Sequence, residues 1–195
     1  MRIPACIIML FAFEVTASAQ ERTLIGGDIE SSGFGGPVVR YTRINDQGAF
    51  LVGGRGGWII NNVLVLGGGG YGVFTEVDAP EGALDIEFGY GGFEMEYIVH
   101  PSSLGHFTGY TLVGGGTTNF VKDVGEVTDS NEQVGESDFA FVVEPAVAFE
   151  LNVTTWFRLN AGVSYRLVNG IDQPGLKDDD FSGPAAILTF KFGNF

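Results

Sequence analysis

The chain has 195 residues, a formal net charge of −14 and 31 glycines. Its acidity excludes nucleic acid as a partner, because the phosphate backbone attracts Lys and Arg and repels carboxylates. No apolar run after residue 19 is long enough for a membrane helix, although 45% of the residues are hydrophobic. A membrane crossing would therefore have to use strands.

The first residues have the three parts of a secretory signal peptide. Arg2 supplies a positive charge, an apolar run follows from Ile3 to Phe13, and Ala17-Ser18-Ala19 is a small-x-small cleavage site. We expect cleavage after this site. Residues 1–19 are then a signal peptide, and residues 20–32 form a flexible periplasmic N-terminal segment.

Eight later segments alternate between apolar and polar residues, most clearly from Phe139 to Leu167. A period of two indicates strands, because successive side chains face opposite sides of a sheet. Most segments exceed the about five or six residues usual in soluble proteins and suit the roughly nine to eleven of a tilted transmembrane strand. The predicted strands are residues 33–44, 49–60, 63–75, 84–99, 106–117, 138–153, 156–168 and 181–192.

Tight turns between these strands alternate with longer polar loops, an asymmetry typical of outer-membrane barrels. The tight turns lie at Asn61-Asn62, at residues 101–104 and at Thr154-Thr155. The predicted fold is all-β, an eight-stranded antiparallel up-and-down transmembrane β-barrel over residues 33–195. We expect the long loops to be extracellular and both termini to be periplasmic.

Aromatic residues collect at both ends of the predicted strands. Trp and Tyr prefer the interface between lipid headgroups and hydrocarbon. Trp58, Tyr97 and Trp156 adjoin the tight turns and form a predicted aromatic girdle. The opposite girdle would contain Tyr41, Phe50, Phe74, Phe139, Tyr165 and Phe181.

Ten charged residues occupy the polar positions of the alternation, which directs them into the lumen. An eight-stranded barrel is only wide enough for its own side chains to fill it, and buried charges need partners of opposite sign. We expect a closed, salt-bridged lumen, with a narrow pore for small solutes or ions as the alternative. The predicted lumen charges are Arg40, Arg55, Glu87, Glu94, Glu96, Glu144, Glu150, Arg158, Arg166 and Lys191.

Glycines recur at neighbouring positions of the second to fifth predicted strands. A turn at Asn61-Asn62 sets Gly53 opposite Gly70, and the apolar phase of the fourth strand slips at Gly91-Gly92, which predicts a β-bulge. Such glycines let a narrow barrel curve. Alternatively, they open a groove where a lipid tail or partner approaches the backbone, so that bulky residues at Gly69 and Gly91 would abolish binding without affecting folding. The predicted glycine belt is Gly53, Gly54, Gly67, Gly69, Gly70, Gly89, Gly91 and Gly114.

Three other patterns predict neither a cofactor nor a metal. Gly67, Gly69 and Gly72 match the spacing of a dinucleotide site, but a strand follows where that site needs a helix. Asp178-Asp179-Asp180 is expected to be a solvated loop rather than a cation site. The only cysteine, Cys6, lies in the leader, so the mature chain has no thiol ligand.

A catalytic triad is conceivable around the two histidines, because His100 and His106 lie close to Ser102 and Ser103. These residues flank a tight turn, which places them toward the periplasm. Lipid modification of the kind known for small barrels would require the opposite end. We therefore expect no enzymatic activity.

The leader, the eight amphipathic strands and the aromatic Phe195 resemble the small outer-membrane β-barrel proteins of Gram-negative bacteria, the OmpA/OmpX-like group. In that group a final aromatic residue assists recognition by the barrel assembly machinery, so the resemblance implies that Phe195 is an assembly signal. Here Phe195 is out of phase with Phe190 and Phe192, with Gly193-Asn194 between them.

This resemblance implies that the protein lies in the cell outer membrane and contacts its lipid and lipopolysaccharide. An envelope protein is a further partner that the resemblance allows. The expected role is structural or surface-interacting, although fold analogy fixes no activity. Two alternatives remain. A narrow pore would conduct in planar bilayers, and a soluble secreted lipocalin-like ligand-binding barrel would carry its apolar residues inside.

Overall fold

A computed structural model describes residues 30–80, 84–122 and 132–195. The predicted signal peptide, its Cys6 and most of the predicted N-terminal segment lie outside these described residues. The first strand begins at Ser31. The barrel therefore starts two residues before the boundary predicted at residue 33.

Eight antiparallel strands pair in chain order and the last pairs with the first, so the sheet closes. This arrangement confirms the predicted eight-stranded barrel. The strands are β1 (Ser31–Ile44), β2 (Gln47–Ile60), β3 (Leu64–Val73), β4 (Asp85–Val99), β5 (Gly105–Lys122), β6 (Glu132–Asn152), β7 (Phe157–Asn169) and β8 (Gly183–Asn194). Within the described ranges, no helix has the length and apolar character needed to cross a membrane.

The two ends of the barrel differ in their connections. At one end, called the turn end here, tight turns follow β2, β4 and β6; at the other, the loop end, longer segments follow β3, β5 and β7. Asn61 and Asn62 have φ of 50° and 58°, the left-handed conformation that tight hairpins need and that Asn tolerates well. Val63 completes this turn, since Ile60 pairs with Leu64.

The segment before β8 differs from the prediction. A strand was expected from residue 181, but Asp178–Phe181 forms a short helix, α1, and β8 begins at Gly183. Phe181, predicted to lie in an outer girdle, is fully buried. The prediction failed because a single apolar residue after an acidic run has no period that separates a strand from a helical turn.

The outer face of the barrel is apolar, as on β6, where Phe141, Val147 and Phe149 are all exposed. Exposed apolar surface this continuous marks contact with a membrane or a partner. Trp58, Tyr97 and Trp156 lie exposed near the turn end. Exposed aromatic residues near the loop end include Tyr41, Phe50, Phe74, Phe139 and Tyr165.

Candidate functional site in the lumen

Nine of the ten predicted lumen charges are buried on the inner face, but Glu87 is exposed. The predicted bulge at Gly91-Gly92 implied that the apolar residues before it, Phe88 and Tyr90, face outward like Phe93 and Met95 after it. Instead, β4 pairs with both neighbours without a register shift there. Phe88 and Tyr90 therefore share the inner face with Glu94. The prediction for Glu87 was wrong because not every apolar residue faces lipid.

The turn-side half of the lumen contains a chain of ion pairs. Arg55 on β2 contacts both acids of β4, with Nε 2.6 Å from Glu94 Oε2 and Nη2 3.0 Å from Glu96 Oε2. Lys191 Nζ on β8 lies 2.6 Å from Glu96 Oε1 and 2.5 Å from Glu150 Oε2. All five side chains are buried. The three carboxylates are therefore compensated within the lumen by Arg55, by Lys191 and by Arg158, which also contacts Glu150.

Glu150 carries further contacts. Its Oε1 lies 3.1 Å from Arg158 Nη1 and 3.2 Å from His106 Nε2, and its Oε2 accepts a hydrogen bond of 3.3 Å from Asn160 Nδ2. The other ring nitrogen of His106 lies 3.3 Å from the backbone oxygen of Ser103, not from its hydroxyl. His106 thus belongs to the lumen network, a role that its inward position in the alternation of β5 could have indicated.

A second ionic cluster lies nearer the middle of the barrel, around Glu144. This carboxylate forms a salt bridge with Arg40 and accepts hydrogen bonds of 2.5 Å from Tyr90 Oη and Ser164 Oγ. The Arg40 guanidinium carbon lies 3.6 Å from the ring centroid of Tyr71, a cation–π contact. Ionic contacts and aromatic packing therefore occur together at this level of the lumen.

Arg166 differs from the other buried cations, because no described carboxylate pairs with it. Its Nε donates a 2.6 Å hydrogen bond to the backbone oxygen of Phe181, and its guanidinium lies 5.3 Å from the Phe88 ring and 5.4 Å from the Tyr90 ring. Among the described residues, neither Nη1 nor Nη2 has a hydrogen-bond partner. Arg166 therefore marks the boundary between the ionic part of the lumen and an apolar part.

The loop-side half of the lumen is filled by apolar side chains, which the sequence prediction missed. Strand residues such as Leu51, Phe88 and Leu112 form one buried cluster with residues of the connecting segments. The segment between β3 and β4 contributes Val77 and Ala79, and the segment before β8 contributes Leu176 and Phe181. The Phe181 and Phe88 rings lie 4.9 Å apart. Two connecting segments therefore fold into the barrel rather than standing free in solvent.

The acidic run before β8 organises this inserted segment. The Asp178 carboxylate accepts hydrogen bonds from the backbone N–H groups of Gly170 and Ile171, at 2.9 and 2.8 Å. Asp180 Oδ2 accepts one of 2.7 Å from the Lys177 N–H. In the part of the chain that the structure describes, no three His, Cys, Asp or Glu side chains converge as a metal site.

The turn end of the lumen is covered by Phe195. Its ring lies 4.0 Å from the Arg158 guanidinium carbon and packs against a small apolar cluster that includes Phe34 and Ile98. The residue predicted to be an assembly signal thus lies over the lumen rather than in line with the outward Phe192. Beside it a cavity of about 450 Å³ is lined partly by Arg158 and Asn152.

The glycine belt exists, but its register differs from the prediction by one residue. Gly53 pairs with Tyr71 rather than Gly70, because the hairpin turn includes Val63. The glycines of adjacent strands still face one another. The outward row is Gly54, Gly70, Gly91 and Gly115, and the inward row beside Arg55 is Gly69, Gly92 and Gly114.

The two rows have different surroundings. A Cβ at Gly69 would lie 2.5 Å from both Glu94 Oε1 and Tyr71 Oη, so the inward row makes space for large lumen side chains. A Cβ at Gly91 would lie 2.8 Å from the Gly69 backbone oxygen. A bulky residue at either position would therefore have to displace these atoms, which argues against the expectation that folding would stay intact. Gly53, Gly67 and Gly114 are also too close to a neighbouring strand for a side chain.

No protein-family model matches the chain, and no curated protein matches it. Among solved structures, Neisserial surface protein A has a TM-score of 0.56 at 12% identity, covering 86% of this chain and 99% of that chain. The N-terminal β-barrel domain of Pseudomonas aeruginosa OprF has a TM-score of 0.49 at 13% identity, covering 84% and 96%. Ail of Yersinia pestis has a TM-score of 0.40 at 16% identity, covering 84% and 94%.

The likeness to Neisserial surface protein A concerns the fold, since only 12% of residues are identical. Two observations from this chain agree with it, namely closure of eight antiparallel strands and an exposed apolar outer face. The chain therefore shares the eight-stranded antiparallel β-barrel fold of Neisserial surface protein A.

Proposed function

We propose that this protein is an outer-membrane barrel with a closed lumen and a structural or surface-interaction role. Outer-membrane lipid and lipopolysaccharide surround its apolar band. The long loops face the cell exterior, and the turn end faces the periplasm. The barrel assembly machinery inserts the chain with Phe195 as its signal, and an envelope protein is a further candidate partner.

The proposal of a closed lumen is supported by side chains that block the lumen at three levels. Phe195 and its neighbours cover the turn end, the ion pairs around Arg55 and Glu150 cross the lumen above them, and apolar side chains including Phe181 fill the loop side. An eight-stranded barrel offers only enough interior for such side chains. A continuous aqueous path would require several of these contacts to break.

The surface role is supported by the charge of the loop end. Exposed acids there include Glu76, Asp78, Asp172 and Asp179, with Asp46 on the neighbouring turn. Such a surface favours a basic partner over a polyanion. The structure with a TM-score of 0.56 is named a surface protein, which agrees with this role.

Planar bilayer recordings test the closed lumen. We expect purified, refolded barrel to produce no single-channel steps, because no open path crosses the ion pairs. The Phe181→Ala variant, which removes one apolar layer, should remain silent since the ionic layer persists. Regular steps from the unaltered protein would instead establish the pore alternative.

Labelling of introduced cysteines tests the orientation. Asp172 at the loop end and Ser102 at the turn end are both exposed, and the chain after the predicted leader contains no cysteine. In intact cells a membrane-impermeant maleimide should label Asp172→Cys, and should label Ser102→Cys only after lysis. The reverse pattern would show that the turns face outward.

A further inference from the structure

The ladder between β6 and β7 is interrupted in the middle of the barrel wall. Val143 pairs with Leu167 and Ala146 pairs with Ser164, but the two positions between them on each strand do not pair. Pro145 occupies one of these positions. Proline has no N–H to donate, so a proline inside a sheet removes a ladder hydrogen bond.

A cavity of about 770 Å³ lies on the outer face at this interruption. Two neighbouring rows of outward residues form it. In one row Gly109 lies between Tyr97 and Val147, and in the next Thr111 lies between Met95 and Pro145. Because Gly109 has no side chain, the surface between the side chains of Tyr97 and Val147 is depressed, and this depression is the groove.

The groove suits an apolar occupant. None of the described residues that line it is charged, and Met95, Tyr97, Val147 and Val163 beside it are all about half exposed or more. Its volume lies within the roughly 300–1,000 Å³ of ordinary ligand pockets. The inner-face residues Ala146 and Ser164 also line it.

From these observations we infer that the groove binds one acyl chain of a membrane lipid. It opens on the apolar band that faces hydrocarbon, so its occupant comes from the bilayer. It extends from the interruption toward the turn end, where Gly109 is four residues into β5, so the lipid is one whose headgroup lies at the turn end. This inference rests on the proposed seating of the barrel in a membrane.

Photocrosslinking in vesicles tests the site. The probe is phosphatidylcholine with a diazirine in one acyl chain, diluted in unlabelled phosphatidylcholine, and adducts are mapped by peptide mass spectrometry. Adducts at Tyr97, Val147 and Val163 should exceed those at the similarly exposed Tyr41 and Phe50 by about fivefold. A modest ratio is expected because packing, rather than hydrophobic transfer, drives association within lipid.

Two glycine variants provide a matched pair. A Cβ at Gly109 would have only the Ala146 oxygen within 4 Å, at 3.9 Å, and one at the outward Gly35 of β1 would have nothing within 4 Å. Gly109→Phe should fill the groove and reduce the adducts there about fivefold, to the level of the opposite face. Gly35→Phe should leave them unchanged. If Gly109→Phe fails to fold, Val163→Phe narrows the groove from an already exposed position.

Three results would overturn the inference. Adducts spread evenly over the apolar band would show no site, and a preference unaffected by Gly109→Phe would place the site elsewhere. A disulfide between two copies of a Val163→Cys variant would show that protein, not lipid, covers the groove. Heat-modifiable migration and association with vesicles show independently that the barrel has folded and inserted. If both are absent, the proposed function fails; if both are present and the adducts show no preference, only the lipid site fails.

Discussion

The two halves of the lumen are closed by different interactions. In the turn-side half, Arg55, Lys191 and Glu150 belong to one chain of buried ion pairs, whereas Phe88 and Phe181 in the loop-side half pack through apolar contact. Buried ion pairs are costly to desolvate and depend on every partner being present. Apolar packing instead loses stability in proportion to the volume removed. We therefore expect the loop-side half to lose stability gradually as side-chain volume is removed, and the turn-side half to lose most of its ionic stabilisation when a single partner is removed.

Loss of a shared carboxylate should produce the largest effect. Glu150→Ala leaves Lys191 and Arg158 buried without one of their acids, and should lower the free energy of unfolding by about 3–5 kcal/mol. Urea unfolding in phospholipid vesicles, followed by tryptophan fluorescence, measures this change. The exposed Glu87 is the control, since Glu87→Ala should change stability by less than about 0.5 kcal/mol. Equal losses from the two variants would contradict the assignment of these acids to opposite faces.

In the apolar half, the loss of stability should increase with the side-chain volume that a substitution removes. Phe181→Ala should cost about 3 kcal/mol, because it leaves a cavity beside Phe88, whereas Phe181→Leu keeps most of the volume and should cost less than about 1.5 kcal/mol. The same unfolding assay measures both. In the ionic half, Glu150→Gln keeps the shape but not the charge, so its cost should stay close to that of Glu150→Ala. If Glu150→Gln lowered the free energy of unfolding much less than Glu150→Ala, the proposed difference between the two halves would be contradicted.

The paired glycines test the space that the ionic half requires. Gly69→Ala should cost about 1–3 kcal/mol, because the added methyl would meet Tyr71 Oη and Glu94. A Cβ added at the outward Gly70 would meet, among the described residues, only the Tyr90 backbone oxygen within 4 Å, at 3.9 Å, so Gly70→Ala should change stability by less than about 0.5 kcal/mol. Similar costs at both positions would indicate that sheet curvature, rather than lumen volume, requires these glycines.

Arg166 lies between the two halves and should give the smallest effect. Arg166→Met removes a buried guanidinium that lacks a described acidic partner and supplies an apolar chain, so stability should change by less than about 1 kcal/mol or increase. Arg55→Met, by contrast, leaves Glu94 and Glu96 without a shared cation and should cost about 3–5 kcal/mol. A large loss at Arg166 would mean that its hydrogen bond to Phe181 holds the inserted segment in place.

Several features of the lumen could be predicted from local pattern, and others could not. Arg40, Glu144 and Lys191 alternate with outward apolar residues, so their inward position follows from the period of the strand. Glu87 and Tyr90 were misplaced because the apolar residues Ile86, Phe88 and Tyr90 of β4 face the lumen near the loop end, and a period of two does not say which face is the lumen. The alternation of β5 places His106 inward, but its contact with Glu150, 44 positions later in the chain, follows only from the tertiary structure.

By itself, the sequence determined the number of strands, their antiparallel order and the face on which most side chains lie, because these depend on period-two alternation and on turn residues along the chain. Only the tertiary structure decided which charges meet, since closure brings together residues as distant as Glu96 and Lys191. It also decided that connecting segments fill the loop side and that a groove lies over Gly109, beside Pro145. These outcomes depend on depth and register across neighbouring strands, which a periodic pattern does not encode.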